Sequence, residues 1–155
     1  MIWAQIDTKP KRFWEDKLLS DMSTEEWESL CDGCARCCMI KLEDETTGEV
    51  SYTAAVCHLL DSDSCRCTKY SQRSLLVANC VNLTPDRTVE FHWLPRSCAY
   101  RAIAEGRELE AWHPLLSKDP ESVHRADISV RDKVVTEDLI HEDELEDMIV
   151  QWVQR

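Results

Sequence analysis

Nine cysteines give this 155-residue chain its clearest capacity for chemistry. Four of them stand close together in the segment Cys31-Asp-Gly-Cys34-Ala-Arg-Cys37-Cys38, which contains two overlapping Cys-x-x-Cys units. Such a unit lets two thiolates converge on one ion from a single turn of chain. The spacing therefore predicts a metal centre built from thiolates. All nine cysteines are candidate ligands: Cys31, Cys34, Cys37, Cys38, Cys57, Cys65, Cys67, Cys80 and Cys98.

The number of centres is less tightly constrained than their chemistry. Adjacent side chains usually diverge, so Cys37 and Cys38 are expected to face different directions, with one of them serving a second centre. Nine thiols are enough for two four-thiolate sites with one thiol left over, or for one larger cluster. The later cysteines, spread from 57 to 98, are spaced as ligands that close long loops. Metal bound across this span would contribute directly to folding.

The metal is predicted to be zinc or iron, and an iron–sulfur cluster is one form that the iron would take. The bacterial ferredoxin pattern C-x2-C-x2-C-x3-C-P begins as this segment does, but here Cys38 follows Cys37 directly and no proline comes after it. A zinc ribbon needs two separated Cys-x-x-Cys units, whereas the second local pair is Cys65-Arg66-Cys67. All-thiolate coordination suits zinc and iron–sulfur clusters alike.

Three other uses of cysteine are less consistent with the pattern. Disulfides are disfavoured by the odd number of cysteines and by an expected cytoplasmic location, where thiols stay reduced. That location is expected because residues 1–7 lack a secretory leader pattern and no apolar run reaches the roughly 20 residues of a membrane span. A thiol–disulfide enzyme needs a single Cys-x-x-Cys in a βαβ context, and a two-thiol redox switch needs far fewer cysteines.

The charge of the chain excludes several classes of partner. Thirty acidic and 18 basic residues give a formal net charge of −12. Non-specific binding to nucleic acid or to an anionic membrane requires a basic surface, so neither is expected. With only three glycines, the chain has no phosphate-binding loop or dinucleotide fingerprint, which argues against a nucleotide-dependent enzyme. Metal ions are the expected partners, and no protein partner is identified.

The elements that must position the cysteines predict one small α+β domain over residues 1–155. Helices at both ends are expected to enclose an irregular, metal-stapled middle with short strands. A capping box at Ser23 and Glu26 predicts the start of a helix that leads into Cys31. A turn at Thr46-Thr47-Gly48 predicts a hairpin of residues 39–42 and 50–54. Further helices are predicted over 13–22, 98–105 and 142–153, and strands over 109–112 and 128–130.

Three histidines and one acidic run are further candidate site residues. His58 follows Cys57 and could bind metal or a sulfur, although a surface role is favoured by the surplus of thiols. His113 and His124 are candidates to orient the metal ligands through hydrogen bonds or to act in catalysis. The run Glu43-Asp44-Glu45 is interpreted as a solvated loop rather than as a site for a hard cation.

Several longer segments resemble the YcgN-like family of bacterial proteins. They are Phe13-Trp14-Glu15, residues 25–38, residues 65–70, residues 93–101 and Trp112-His113-Pro114-Leu115. That family lies within a wider YkgJ-like CxxCxxCC group described as a zinc- or iron-chelating domain. The wider pattern is similar to the positions here of Cys31, Cys34, Cys37, Cys38, Cys57, Cys67, Tyr70, Arg73 and Cys80, whereas Cys65 and Cys98 resemble additions of the narrower family. The resemblance implies metal chelation without a particular activity, and a flagellin lysine methylase with a related cluster hints at iron–sulfur chemistry.

Two functional hypotheses follow. In the first, the protein is a metal-binding module whose cysteines hold zinc or iron for structure, storage, delivery or partner recognition. In the second, it is an iron–sulfur or iron-dependent redox protein or enzyme that uses the same cysteines, and Trp93, Tyr100 or His113 would then line a pocket. Whether the protein is an enzyme is left open, and no catalytic residue is assigned.

Overall fold

The structure is a computed structural model, and it describes residues 12–80 and 82–155. Residues 1–7, assessed above for a leader, lie outside the described part. Its centre is a three-stranded sheet in which β1 (Met39–Glu43) pairs antiparallel with β2 (Val50–Val56), and β2 pairs parallel with β5 (Val135–Thr136). A second sheet pairs β3 (Leu60–Asp61) with β4 (Arg66–Cys67).

The helices are short and surround these sheets. The α-helices are α1 (Phe13–Asp16), α2 (Thr24–Ser29), α3 (Arg73–Leu76), α4 (Ala99–Ala104), α5 (Pro114–Ser117) and α6 (Ser122–Arg125). Turns of 3-10 helix span Leu19–Asp21, Arg36–Cys38, Tyr70–Gln72, Pro85–Trp93, Glu137–Leu139 and Glu142–Met148. The fold is thus α+β with short strands and a cysteine-rich middle, as predicted. No helix in the described part of the chain is both long and apolar enough to cross a membrane.

Three local predictions are confirmed by hydrogen bonds. The Ser23 hydroxyl accepts from the Glu26 amide at 3.1 Å, and the Glu26 carboxylate accepts from the Ser23 amide at 3.0 Å, which completes the capping box of α2. The predicted hairpin is formed by β1 and β2. Helix α4 ends before Gly106, whose φ of 75° is the left-handed conformation that glycine adopts most readily.

Two predicted helices are wrong in length or type. The helix expected over 13–22 ends at Asp16, because Lys17 and Leu18 are extended and the Lys17 ammonium pairs with Glu26 at 2.7 Å. The helix expected over 142–153 is a 3-10 helix that ends at Met148. Its sequence places acidic residues four apart, which destabilises an α-helix. Residues beyond it run extended, and Val150 donates to the backbone of Tyr52 at 2.9 Å.

The two strands expected over 109–112 and 128–130 are also wrong. His113 donates from its backbone to Glu110 at 2.9 Å, so the first segment forms a turn. In the second, the Val130 amide donates to the Cys34 carbonyl at 3.0 Å, and the amides of Ile128 and Ser129 donate to the Val123 carbonyl. The strand that pairs with β2 opposite β1 is β5, which lies later in the chain than either predicted strand. Alternation of apolar and polar side chains over three or four residues is too short a pattern to show which segment pairs with another strand.

Two apolar clusters lie on either side of the Cys31–Cys38 segment. One is built on the β1–β2 hairpin and includes Met39, Tyr52, Val56 and Cys65. The other gathers Trp27, Leu30, Phe91, Leu94 and Tyr100. Because Leu30 belongs to one cluster and Met39 to the other, the four clustered cysteines between them are anchored at both ends.

Candidate metal centre

The backbone of the Cys31–Cys38 segment is folded into tight turns. The Cys34 amide donates to the Asp32 side chain at 2.9 Å, which closes the first turn. Gly33 and Ala35 both adopt left-handed backbone conformations, with φ of 83° and 62°. A 3-10 helix over Arg36–Cys38 follows and delivers the chain into β1. These turns keep successive cysteines from spreading along an extended chain.

Four cysteines form what we call the first thiol group: Cys31, Cys34, Cys37 and Cys98. The pKa of Cys31 is raised to about 12, first by desolvation within the surrounding protein and then by the charges of Cys37, Asp32 and Cys98, although its side chain reaches solvent. Desolvation also raises the pKa of Cys98 to about 12, with Cys37 and Asp32 as charged neighbours. The pKa of the buried Cys34 is raised by desolvation and then by Asp32, Cys37 and Cys31. Thiols packed in this way resist ionisation unless a cation joins them.

Four others form the second thiol group: Cys38, Cys57, Cys67 and Cys80. The backbone of Cys57 donates to Cys38 at 2.9 Å, which continues the β1–β2 pairing beyond the strands. Cys67 lies opposite Leu60 in the small sheet. Desolvation raises the pKa of Cys57, and the charges of Glu137, Cys67 and Cys80 raise it further. Each member of this group is half-buried.

The two groups meet at Cys37 and Cys38. The neighbouring Cys38 thiol lowers the pKa of Cys37 to about 7, and Cys37 in turn raises that of Cys38. The charge of Cys37 raises the pKa of Cys31 and Cys98 and also that of Cys80, whereas Cys57 raises that of Cys38. Cys37 therefore acts on thiols of both groups.

Backbone amides point at several of the sulfurs. The Arg36 amide donates to the Cys34 sulfur at 3.5 Å. The amides of Gly33, Leu59 and Arg101 favour the thiolate forms of Cys31, Cys57 and Cys98 respectively. Hydrogen bonds to the sulfurs stabilise thiolate ligands and tune the reduction potential of iron–sulfur sites. The donor set therefore fits a metal that prefers sulfur.

The spacing of the sulfurs distinguishes kinds of centre. Four thiolates around one zinc ion, with Zn–S bonds of about 2.3 Å, have sulfurs about 3.8 Å apart. Within the described residues, no three cysteine sulfurs lie within 4.8 Å of one another; the set that meets this limit is Cys57, His58 and Glu137. The ligands of a multi-iron cluster bind at separate corners and stand farther apart. The cysteine sulfurs of the described residues are thus grouped without being drawn to the spacing of one tetrahedral zinc ion.

Cys65 lies apart from both groups. It is buried in the apolar cluster of the β1–β2 hairpin and has a left-handed φ of 58°. Its thiol donates to the Ser62 carbonyl at 3.6 Å. Desolvation raises its pKa, and its polar neighbours are Ser129, Arg131 and Val130 rather than other cysteines. All nine cysteines stay predicted ligands, and Cys65 is one whose pKa is affected mainly by groups other than cysteines.

The three candidate histidines, His58, His113 and His124, form hydrogen bonds with other residues of the protein. The ring and backbone amide of His58 contact the Glu137 carboxylate, at 3.1 and 2.8 Å, beside Cys57. The Nδ1 of His113 accepts from the Leu115 amide at 3.0 Å, so its Nε2 donates to the Leu30 carbonyl at 2.7 Å. His124 contacts the Ser129 hydroxyl at 2.7 Å. His113 thus supports the residue that precedes Cys31.

The aromatic residues expected to line a pocket have structural contacts instead. The Tyr100 hydroxyl donates to the Trp27 carbonyl at 2.8 Å, and Trp93 lies against the ammonium of Lys41. The acidic run expected to be a solvated loop ends β1 and begins the hairpin turn, where Asp44 accepts from the amides of Thr46 and Thr47 at 2.8 Å.

Three residues near the cysteines were not predicted as part of the site. The buried Asp32 accepts from Cys34 and, at 3.4 Å, from the indole of Trp112. Arg36 is buried, donates to the Ile128 carbonyl at 2.7 Å and lies against the Trp152 ring. Lys41 lies beside the junction of the two groups. Their positions depend on contacts with distant segments, for which the sequence carries no local pattern.

Comparison with known proteins identifies the family. Residues 30–99 match the CxxCxxCC profile, described as "Putative zinc- or iron-chelating domain". A UPF0260 protein of Cellvibrio japonicus is 57% identical over 91% of this chain and 96% of its own length. One of Marinobacter nauticus is 54% identical over 91% of this chain and 95% of its own, and one of Nitrobacter hamburgensis is 56% identical over 92% and 84%. No solved structure matches the chain. Residues 30–99 carry the match to the CxxCxxCC profile, and the chain as a whole belongs to the UPF0260 family.

Proposed function

We propose that this protein holds metal in two four-thiolate centres. The first thiol group (Cys31, Cys34, Cys37 and Cys98) binds one centre, the second (Cys38, Cys57, Cys67 and Cys80) binds the other, and Cys65 binds neither. The observation that carries the proposal is geometric: the turns of Cys31–Cys38 and the backbone pairing of Cys57 with Cys38 bring the cysteines together. The effects of these thiols on one another's pKa fall mainly within two sets that meet at Cys37 and Cys38. The chelating-domain match over residues 30–99 includes all eight.

We propose iron–sulfur clusters as these centres, because thiolate donors with backbone amides directed at the sulfurs suit them. The sulfurs are grouped, yet no three in the described residues approach as closely as the ligands of one zinc ion would. Such a cluster supplies one-electron transfer when bound. The cysteines would hold it, and the amides of Gly33, Arg36 and Leu59 would stabilise the charge on the sulfurs. The protein would then act as a cluster-holding or electron-transfer protein of the cytoplasm, where thiols remain reduced.

The decisive measurement is the metal content of protein purified without oxygen. The proposal expects iron with acid-labile sulfide, visible absorption, and an electron paramagnetic resonance signal on reduction or oxidation. A colourless protein with two zinc ions, after growth in iron-rich medium, would overturn the cluster but retain the two centres. A protein that binds neither metal would overturn the proposal altogether.

Three single substitutions test how the thiols are divided. Cys34→Ser should lose the metal of the first centre and keep that of the second, and Cys80→Ser should do the reverse. Cys65→Ser is the matched control, because this cysteine has no thiol neighbour in either group. Its metal content should equal that of the wild type. Loss of all metal in both Cys34→Ser and Cys80→Ser would indicate one undivided centre instead.

A further inference from the structure

Lys41 is a cation held in place at the junction of the two thiol groups. Its Nζ donates to the carbonyl of Cys37 at 2.7 Å and to that of Met39 at 2.9 Å. The ammonium also lies 5.2 Å from the centre of the Tyr52 ring and 5.1 Å from that of Trp93. Aromatic faces attract a cation at this range, so the charge is fixed by four separate contacts.

An irregularity in the pairing of β1 with β2 sets the direction of the Lys41 side chain. β1 begins directly after Cys37 and Cys38, and its pairing with β2 shifts register between Met39 and Lys41. Irregular pairing of this kind changes the direction in which a strand side chain points. After the shift, Lys41 lies directly opposite Tyr52, whose hydroxyl donates to the Trp93 backbone at 2.6 Å. Both rings that enclose the ammonium are thereby tied to each other.

The hydrogen bond to the Cys37 carbonyl places the ammonium beside the Cys37–Cys38 pair, and the charges around it are consistent with that position. Burial opposes its charge, whereas Cys37, Cys38 and Cys80 favour it. Cys37 belongs to the first thiol group, and Cys38 and Cys80 to the second. One ammonium therefore acts on thiols of both groups.

A positive charge at this position would reduce the electrostatic repulsion between the two proposed centres. Four thiolates around a divalent ion carry a total charge of about −2, so two such centres side by side repel each other. The chain adds to this repulsion, because its formal net charge is already −12. A fixed cation between the centres would lower the free energy of forming both, and its partial burial limits screening by salt.

We propose that Lys41 is the shared counter-charge of the two centres, a positioning residue whose ammonium allows both sets of thiolates to be filled at once. The inference rests on the proposed two-centre function and adds how the two centres are kept together. It assigns to Lys41 no contact with the metal and no catalytic role.

The test separates the charge of Lys41 from its hydrogen bonds. Wild-type protein, Lys41→Arg, Lys41→Gln and Lys41→Met would be loaded with metal and then acidified in steps, while bound metal is measured after rapid desalting. Lys41→Gln keeps a donor for the two carbonyls but lacks the charge, and Lys41→Arg keeps the charge. The proposal expects the uncharged variants to retain metal about tenfold less well, with loss beginning at higher pH, and Lys41→Arg to remain near wild type.

The same substitution in single-centre variants examines each centre separately. Lys41→Gln combined with Cys34→Ser reports on the second centre, and combined with Cys80→Ser it reports on the first. Both combinations should retain less metal than the corresponding cysteine variant alone. Lys118→Gln is the control for net charge, since Lys118 is exposed and lies at the end of α5.

Several outcomes would overturn the inference without affecting the two centres. One is wild-type retention by Lys41→Gln with loss in Lys41→Met, which would mean that only the hydrogen bonds matter. Another is equal loss in Lys41→Arg and Lys41→Gln. If Lys41→Gln does not fold, Lys41→Arg still tests the inference. The inference requires this variant to retain metal at nearly the wild-type level, and clear loss would overturn it. Failure of the two-centre proposal is recognised separately, from the metal content of the cysteine variants.

Discussion

His113 donates a hydrogen bond of 2.7 Å from Nε2 to the backbone carbonyl of Leu30, the residue that precedes Cys31. Its other ring nitrogen accepts from the Leu115 amide, so the imidazole joins the start of α5 to the start of the cysteine segment. The ring is 2% exposed, which leaves no room for a substrate beside it. The geometry is that of a structural brace.

Replacement of His113 by Phe should therefore destabilise the fold without changing the metal. The buried Leu30 carbonyl and Leu115 amide would lose their partners, and each unsatisfied buried group costs about 1–3 kcal/mol. The free energy of unfolding of the loaded protein, measured in urea, should fall by that order. His92→Gln, at an exposed histidine, should leave it unchanged. An altered metal spectrum with unaltered stability would contradict the bracing role.

The Trp152 ring is a second structural support, in contact with Arg36 of the cysteine segment. It lies 5.3 Å from the guanidinium of Arg36 and 4.8 Å from the ammonium of Lys133, and packs against the β1–β2 cluster. Trp152→Ala should lower the free energy of unfolding by about 2–4 kcal/mol, because it removes a large ring and two cation–π contacts. Trp152→Phe should recover most of the loss. Equal stability of the alanine variant and the wild type would show that the C-terminal segment is not needed.

Sequence patterns were informative where short-range chemistry decides the structure. The capping box of α2 depends on Ser23 and Glu26 alone, and the hairpin turn depends on Asp44 and its next few residues. The cysteine spacing similarly predicts a thiolate site from a short segment of chain. In contrast, the acidic residues of 142–148 repel one another along an α-helix, an effect that the apolar periodicity concealed. Lys41 could not be identified, because its role depends on Tyr52 and Trp93, which approach it only in the folded chain.

Without metal, Cys37 should be the most reactive thiol of the chain near neutral pH. The neighbouring Cys38 thiol and the charge of Lys41 lower its pKa to about 7, whereas desolvation raises that of Cys31 and Cys98 to about 12. Since the thiolate is the nucleophile, alkylation of Cys37 by iodoacetamide should rise through a midpoint near pH 7 and level off above it. Mass spectrometry of the reduced, metal-free protein measures this site by site.

Two controls accompany the alkylation experiment. Lys41→Gln should move the midpoint of Cys37 to higher pH, because it removes a charge that favours the thiolate. Metal-loaded protein should be protected at Cys37, whereas the buried Cys65 should react slowly in both forms. Modification of Cys31 as fast as that of Cys37 at pH 7 would contradict the assigned pKa order.

Removal of metal should loosen the middle of the chain more than the β1–β2 hairpin. The segment between Cys57 and Cys80 has little regular structure of its own, since β3 and β4 contain two residues each and α3 contains four. Strand β2 instead has seven residues, and its Tyr52, Ala55 and Val56 are buried. Because metal binding contributes to folding where no other core does, amide exchange after chelation should accelerate strongly over residues 57–80 and little over residues 50–56. Cys80→Ser should reproduce this change, and Cys65→Ser should not. Uniform acceleration across both segments would mean instead that the hairpin also depends on the metal for its stability.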